Sequence, residues 1–300
     1  MQPDSAYLEY RPMLLRLAYR IVGSLADAED VVQDTFVELN GIELSSIRNP
    51  RAYLAKSVTN RSINLLKSAR RTRETYIGPW LPEPAVGLSI DEDPWRAVEK
   101  QETLSYAFVV LLQQLTPDEL VVFLLREALA YEYEEISDIV GKTVTACRKL
   151  LSRAKKKMPA AAPPAGDRTA EAEGFAAMFK TACETGDFRR FVGCLTGDAG
   201  LVTDGGGKVR AALREIEGRD RILAMFEGIV RRGFFEGDAR LVRQGGDYGV
   251  ELVRAGGVTA WIAFLELTPD RSAVRRMYFV MNPEKLPAPR HGRVAVDREA

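Results

Sequence analysis

The stretch PAAAPPAGD, residues 159–167, divides this 300-residue chain into two textures that one layer architecture does not accommodate. Rich in proline and alanine and poor in large apolar groups, it has little to pack and reads as a linker. Before it, apolar residues recur at helical spacing. Tyr7, Leu8, Met13, Leu14, Leu15, Leu17, Ala18, Ile21 and Val22 form one such series, closed by Gly23-Ser24. Val31, Val32, Thr35, Phe36 and Leu39 form a second behind a cap at Asp27. Tyr53, Leu54, Val58, Ile63, Leu65 and Leu66 form a third, with Pro50 near its first turn. Four more helical segments are predicted between residues 104 and 157. After the linker come one or two helices in AEGFAAMFKTACETGDFRRFVGCL. Glycine-punctuated strand-like runs follow: GLVTD, VRAALREIEG, DARLVRQGG, YGVELVRAGG, VTAWIAFLEL and AVRRMYFVMN. Their spacing suits a curved antiparallel sheet holding one helix, GRDRILAMFEGIVRRG. The expectation is an all-α half followed by an α+β domain.

An apolar fraction of 46% suffices for packed cores. The first residues, MQPDSAYLEYRPMLLRLAYR, lack the basic-then-apolar pattern of a secretion signal. No apolar run approaches the ~20 residues that cross a bilayer. Three cysteines, Cys147, Cys183 and Cys194, without a C-x-x-C pair point to reduced thiols in a cytoplasm and away from a zinc site. A net charge of zero and a pI near 6.7 argue at first against nucleic acid. The local distribution reverses that reading. From Asp27 to Glu43 there are six acids and no base. From Arg48 to Arg73 there are eight bases and no acid, and from Lys142 to Lys157 seven bases and no acid. Between the basic blocks lies the acidic, proline-marked GPWLPEPAVGLSIDEDPW. Two acid-free basic blocks are the footprint of a polyanion partner, and the acidic block excludes duplex DNA from its own face.

The most informative constellation is TPDELVVFLLREALAYEYEEISDIVGKTVTACRKLLSRAKKK, residues 116–157. Thr116, Pro117 and Glu119 spell a capping box with proline at the first helical position. A short helix, EYEEISDIV, stops at Gly141, and the turn Gly141-Lys142-Thr143 opens VTACRKLLSRAKKK. Helix, short glycine turn and basic helix make a helix-turn-helix. The last helix buries Val144, Cys147, Leu150, Leu151 and Ala154, which leaves Thr145, Arg148, Lys149, Ser152, Arg153 and Lys156 to face a major groove.

On these residues the chain resembles the bacterial sigma factors. DAEDVVQDTFVEL is similar to their core-polymerase-binding helix. TPDELVVFLLREALAYEYEEISDIV with TVTACRKLLSRAKK is similar to their −35-reading domain. The layout without intervening regions resembles that of the extracytoplasmic-function group. The resemblance implies that Asp27, Asp30, Gln33, Asp34 and Glu38 dock on the clamp helices of the largest polymerase subunit. It implies −10 contacts from Arg48, Asn49, Asn60, Arg61, Asn64, Lys67, Arg70 and Arg71, with Asn60 at the position that reads a flipped base and the loop 41–49 setting the preference. It implies −35 contacts from Lys142, Thr143, Thr145, Arg148, Lys149, Arg153 and Lys156.

WLPEP at 80–84, DGGGK at 204–208 and NPEKL at 282–286 together resemble the subgroup that carries a C-terminal SnoaL-like, ketosteroid-isomerase-like cone, the group-forty-one type. The glycine run is not a nucleotide loop: a phosphate loop needs G-x-x-x-x-G-K-[ST] between strand and helix, and here Lys208 is followed by Val209 with a strand expected next. Consecutive glycines instead let backbone approach another surface. The resemblance implies that Trp80, Leu81, Pro82, Glu83 and Pro84 meet Asp204, Gly205, Gly206, Gly207 and Lys208, with Asn282, Pro283 and Leu286, as a regulatory contact in which Asp204 and Lys208 supply polar bonds. Such cones sometimes hold an Asp or His base in an apolar cavity. Here the single histidine, His291, lies in a terminal segment read as disordered, and Asp198, Asp204, Asp238, Asp247, Glu251 and Glu266 have no evident partner. No catalytic residue, cofactor or metal is expected. Trp261, Phe264, Tyr278 and Phe279 leave open a small ligand in a cavity, or simply a packed core.

The expected organisation is sigma region 2 at 1–75, a linker at 76–102, sigma region 4 at 103–158, a linker at 159–168, a SnoaL-like regulatory domain at 169–287 and a tail at 288–300. The expected function is a sigma factor that directs polymerase to promoters under control of its own C-terminal domain. A ligand-responsive DNA-binding regulator that does not engage core polymerase is the alternative. The acidic helix discriminates between the two, since a plain repressor has no need of it.

Overall fold

The computed structural model describes residues 3–38, 47, 49–73, 75–86, 105–158 and 169–289. Arg48, most of the loop 41–49, the linker 159–168 and His291 lie outside the described residues. The chain folds as two units, one of residues 1–75 and 87–163, the other of residues 76–86 and 164–300. The stretch Tyr76–Val86, read from the sequence as the start of a linker, thus belongs to the second unit.

The first unit is helical. Helix α1 (Pro3–Val22) packs on α2 (Leu25–Glu38) and α3 (Pro50–Arg73). Their apolar stripes meet in a core of Leu14, Leu17, Ala18, Ile21, Val32, Leu54 and Val58, all at most 2% exposed. Each leucine, isoleucine or valine among them contributes about 1.5–3 kcal/mol relative to exposure. Then come α4 (Tyr106–Leu112), α5 (Pro117–Phe123), α6 (Tyr133–Val140) and α7 (Val144–Lys157). The Thr116 hydroxyl accepts from the Glu119 amide and the Glu119 carboxylate accepts from the Thr116 amide, so the capping box fixes the start of α5. Gly141 ends α6 at φ 64°, a left-handed conformation that costs glycine nothing, and the Thr143 hydroxyl caps α7 through the Ala146 amide. Within this unit α3 also packs against α5 and α6. Arg73, at the end of α3, donates to the Val22 carbonyl at 2.8 Å and to Gln113 at 3.2 Å.

The helix begun by α5 does not run on regularly; Leu124–Ala128 form a π turn. The Leu129 amide reaches the Leu124 carbonyl, the Tyr131 amide reaches that of Leu125, and Ala130 sits at φ 55°.

The second unit opens with α8 (Thr169–Thr185) and the short α9 (Arg189–Val192). Strands β1 (Leu195–Asp204) and β2 (Ile216–Glu217) follow, then α10 (Arg219–Val230) and strands β3 (Asp238–Gln244), β4 (Asp247–Arg254), β5 (Val258–Leu267) and β6 (Val274–Val280). A single turn, Pro283–Lys285, comes last among the described elements. The sheet order is β2-β1-β6-β5-β4-β3. The expectation of an antiparallel sheet is corrected at one place: β1 runs parallel to β6. The long path from β1 through α10 and the β3–β5 meander makes that parallel return feasible. The strand expected over VRAALREIEG shrinks to Ile216–Glu217. Before it, the Thr203 hydroxyl both accepts from the Ala212 amide and donates to the Ala212 carbonyl, taking the place of ladder bonds.

Side chains alternate across the sheet. Leu201, Met277, Phe279, Trp261, Ala263, Val250 and Leu252 face α8 and α10, where Phe179 and Phe226 complete the core. The Phe179 ring lies 4.8–6.3 Å from those of Phe188, Phe191, Phe226, Trp261 and Phe279. Phe264 and Tyr278, by the same alternation, are buried on the opposite face. The four aromatics considered together from the sequence therefore line no common wall.

Candidate functional site

Helix α2 buries Ala28, Val31, Val32 and Thr35 against its own domain, and the Thr35 hydroxyl donates to the Val31 carbonyl. Its period leaves Glu29, Asp30, Gln33, Asp34, Val37 and Glu38 exposed, with Asp27 half-buried. Val37, at 59% exposed, adds an apolar element to an otherwise anionic face. Sequence reasoning left it out of both the apolar series and the docking set.

On α3, Asn60, Asn64 and Lys67 are exposed at helical spacing, and Tyr53, 37% exposed, lies on the same stripe two turns before Asn60. Tyr53 was assigned to the buried face from the sequence. Asn49 is exposed and accepts from the Ala52 amide, so its side chain opens the helix. Arg70 and Arg71 lie in the last turns of α3. Arg61 ties the two helices together: its guanidinium pairs with Glu38 and lies 3.9 Å from Asp34. That hydrogen bond holds the Glu38 carboxyl below the usual carboxylate range. A residue assigned to DNA and two assigned to polymerase thus meet at one point.

On α7 the buried face is Cys147, Leu150, Leu151 and Ala154. Burial pushes the Cys147 thiol up, which suits a small apolar group rather than a reactive one. Thr145, Arg148, Lys149, Arg153 and Lys156 are exposed. The basic residues divide by partner. Lys142 pairs with Asp118 at 3.1 Å, Lys155 with Glu127 at 2.9 Å and Lys157 with Glu119 at 2.6 Å, all within the helix-turn-helix domain. Among the described residues, Arg148, Lys149, Arg153 and Lys156 have no acidic partner. The Arg148 guanidinium rests over the Tyr133 ring, 5.1 Å from its centroid.

The second unit holds a seat for residues 76–86. At its centre is Asp204, the last residue of β1, with no exposed surface. Its carboxylate accepts from the Tyr76 hydroxyl at 2.6 Å, the Leu81 amide at 2.8 Å, the Gly206 amide at 3.0 Å and the Lys285 ammonium at 2.7 Å. Lys285 also donates to the Leu81 carbonyl at 2.7 Å and lies over the rings of Trp80 and Tyr76, 4.2 and 4.9 Å from their centroids. Asn282 donates to the Tyr76 oxygen at 3.0 Å and caps the final turn by accepting from Glu284. Burial, and then the bond to Asp204, pushes the Tyr76 phenol well above the ordinary range, so it remains a donor. At the other end of the segment the Ala85 amide donates to Gln244 on β3 at 2.7 Å. Leu81, Pro82, Pro84 and Ala85 are buried, and Trp80 and Glu83 half-buried.

The glycine run has a steric explanation here. Gly206 and Gly207 take φ of 62° and 71°; a Cβ at Gly206 would lie 2.4 Å from the Asn282 amide, and one at Gly207 2.9 Å from Ile77. A Cβ at Gly205 would lie 2.3 Å from the Val209 carbonyl oxygen. A side chain at Gly206 or Gly207 would displace Asn282 or Ile77, and one at Gly205 would strike the loop's own backbone. One expectation is corrected: Lys208 does not bond the linker but pairs with Glu284, beside Pro283 in the terminal turn. The lysine that reaches the linker is Lys285, which, like Tyr76 and Gln244, sequence reasoning left out. Leu286, half-buried, follows it.

An acidic helix face, a neighbouring helix with exposed amides and bases, a helix-turn-helix with an exposed basic face and a sheet domain that seats a linker define a multidomain transcription protein with a fused α+β module. The sequence matches the Sigma-70 region 2 family over residues 6–72 and the Sigma-70, region 4 family over residues 106–158. It is 32% identical over 289 residues to the ECF RNA polymerase sigma factor SigJ of Mycobacterium tuberculosis, covering 94% of this chain and 92% of that protein. It is 33% identical over 223 residues to the ECF RNA polymerase sigma factor SigG of the same species, covering 65% and 60%. The crystal structure of Mycobacterium tuberculosis SigJ superposes with a TM-score of 0.73 at 29% identity, over 94% of this chain and 97% of that one. The chain belongs to the extracytoplasmic-function RNA polymerase sigma factors of the sigma-70 family. It is a promoter-directing factor that binds core polymerase and promoter DNA. Its C-terminal sheet and helices match the SigJ structure and are consistent with a SnoaL-like domain.

Proposed function

We propose that each face described above has one partner. The exposed side of α2, with Asp30, Gln33, Asp34 and Glu38 around Val37, docks on the basic clamp helices of the largest polymerase subunit, in the cytoplasm where that enzyme works. Asn60, Asn64 and Lys67 meet the melted −10 strand, with Tyr53 as a stacking surface for an unpaired base and Arg70 and Arg71 on the backbone. Arg148, Lys149, Arg153 and Lys156, without an acidic partner among the described residues, meet the −35 groove and its phosphates, while Lys142 supports the turn through Asp118.

The fused domain controls activity by holding the linker between the two DNA-reading regions. The observation that carries this reading is the buried Asp204 carboxylate, whose four donors include two from residues 76–86. A fixed linker limits the separations that regions 2 and 4 can sample, and a shift of a few kcal/mol in that restraint redistributes the populations. Aromatic packing about Phe179 favours a scaffold over a ligand-binding chamber. Promoter-dependent transcription by core polymerase with the full chain, with chains ending near residues 165 and 280, and with Asp204→Asn tests the reading. The three variants should depart from the full chain. Equal activity in all four would defeat the control claim.

A further inference from the structure

Arg148 is held in a way that the assignment of α7 to DNA does not by itself account for. Tyr133, the first residue of α6, presents its ring to two guanidinium groups, that of Arg148 at 5.1 Å and that of Arg126 at 5.0 Å. The two cations are not equivalent. Arg126 is 29% exposed and donates to the Tyr131 carbonyl at 2.7 Å, with the Glu132 carboxylate 3.0 Å away. Its charge is met locally. Arg148 is exposed and has no acidic partner among the described residues. The backbone that delivers Arg126 is irregular: the π turn Leu124–Ala128 and the left-handed Ala130 place the Tyr131 carbonyl within its reach. Glu132 is held in turn, since it forms a reciprocal capping box with Glu135 at the start of α6.

We propose that Tyr133 is a positioning residue for −35 recognition, pre-orienting the Arg148 guanidinium on α7 by cation–π contact against a platform anchored by Arg126 and Glu132. A free arginine side chain samples many rotamers, and fixing one before the encounter removes that ordering cost from binding. A planar guanidinium matches a guanine edge or a phosphate in a fixed geometry, so an orientation defect affects selectivity as well as strength. The inference rests on the reading of α7 as the −35 helix.

The test uses holoenzyme of the full chain and a promoter duplex selected by that holoenzyme from a pool randomised over the −35 region. Binding is measured for wild type, Tyr133→Phe, Tyr133→Leu, Arg148→Ala and the double variant Tyr133→Leu/Arg148→Ala. Tyr133→Leu should weaken binding about two- to five-fold, the range of an exposed cation–π contact, and relax selection at the base pair that Arg148→Ala also relaxes. Tyr133→Phe keeps the ring face and should stay within about two-fold of wild type. In the Arg148→Ala background Tyr133→Leu should cost nothing further. An equal penalty in both backgrounds would overturn the proposal, because a ring that only packs behaves so; a Tyr133→Phe defect as large as that of leucine would overturn it too, because the hydroxyl and not the ring face would then carry the effect. Lys149→Ala and Arg153→Ala separate the two levels. If they weaken binding while Arg148→Ala does not, the positioning role falls and the helix assignment stands; if all three are silent, both fall.

Discussion

Replacing Asp204 by asparagine keeps the shape of the linker seat and removes its charge. The carboxylate and the Lys285 ammonium, 2.7 Å apart with side chains 0% and 12% exposed, form a largely desolvated pair. Removing one partner of such a pair costs about 3–5 kcal/mol, because the other charge remains buried. Lys285 keeps the Leu81 carbonyl at 2.7 Å and the faces of Trp80 and Tyr76, which places the loss near the low end, about 3 kcal/mol. The amide also carries its own donors into a site where Tyr76, Leu81 and Gly206 all donate, so at least one bond must break. With every 1.4 kcal/mol worth a factor of ten, release of the segment 76–86 should become about a hundred-fold more frequent. Hydrogen exchange followed by mass spectrometry on the full chain reads this at the Leu81 and Ala85 amides. Asp204→Asn should accelerate both by that order while leaving α1 and α7 as in wild type. Unchanged exchange at Leu81 would show that the carboxylate does not hold the linker.

Gly206→Ala should destabilise the second unit by more than about 2 kcal/mol, since left-handed strain of about 1–2 kcal/mol adds to the overlap with Asn282. Gly141→Ala has the strain with nothing within 4 Å of the added carbon, and should cost about 1 kcal/mol; thermal melts of the two variants give the comparison. Gly228, inside α10 with open space at its Cβ position, should gain about 0.5–1 kcal/mol on substitution by alanine, seen as a raised Tm. Burial alone would raise the Glu119 carboxyl, but the Lys157 ammonium and the Thr116 amide outweigh it and hold the group below its ordinary value. A depressed carboxylate stabilises above about pH 4.3 and loses that contribution as pH falls through its folded value, so Glu119→Gln should cost about 1 kcal/mol near neutrality and less at low pH. Urea titrations of the variant and wild type across the acid range would contradict this if their difference did not shrink.

What the sequence made legible follows from how far apart the determinants lie along the chain. The helices of the first unit rest on i, i+3, i+4 periods and on caps such as Thr116 with Glu119, all within one turn of the residues they control. The left-handed stop at Gly141 is equally local. The parallel partner of β1 is not local, and neither is the choice of Thr203 to satisfy Ala212 with its hydroxyl. Trp80–Pro84 and Asp204–Lys208 stood out through family resemblance, but the bonds between Tyr76 and Asp204, Ala85 and Gln244, and Lys285 and Leu81 join residues more than a hundred positions apart. Composition and spacing carry no signal for such pairs. The same holds for Lys208, which looked like the linker's partner and bonds Glu284 instead. Arg61 lies in a basic block and Glu38 in an acidic one, and only folding shows that the two blocks touch.

The proposed grip of the anionic α2 face on polymerase precedes every other step at a promoter. Core enzyme mixed with the full chain at concentrations that saturate wild type, and sized by sedimentation, measures this directly for Asp30→Arg/Asp34→Arg. With helicity unchanged by circular dichroism, the double reversal should leave the core enzyme unloaded. Loading equal to wild type would contradict the account.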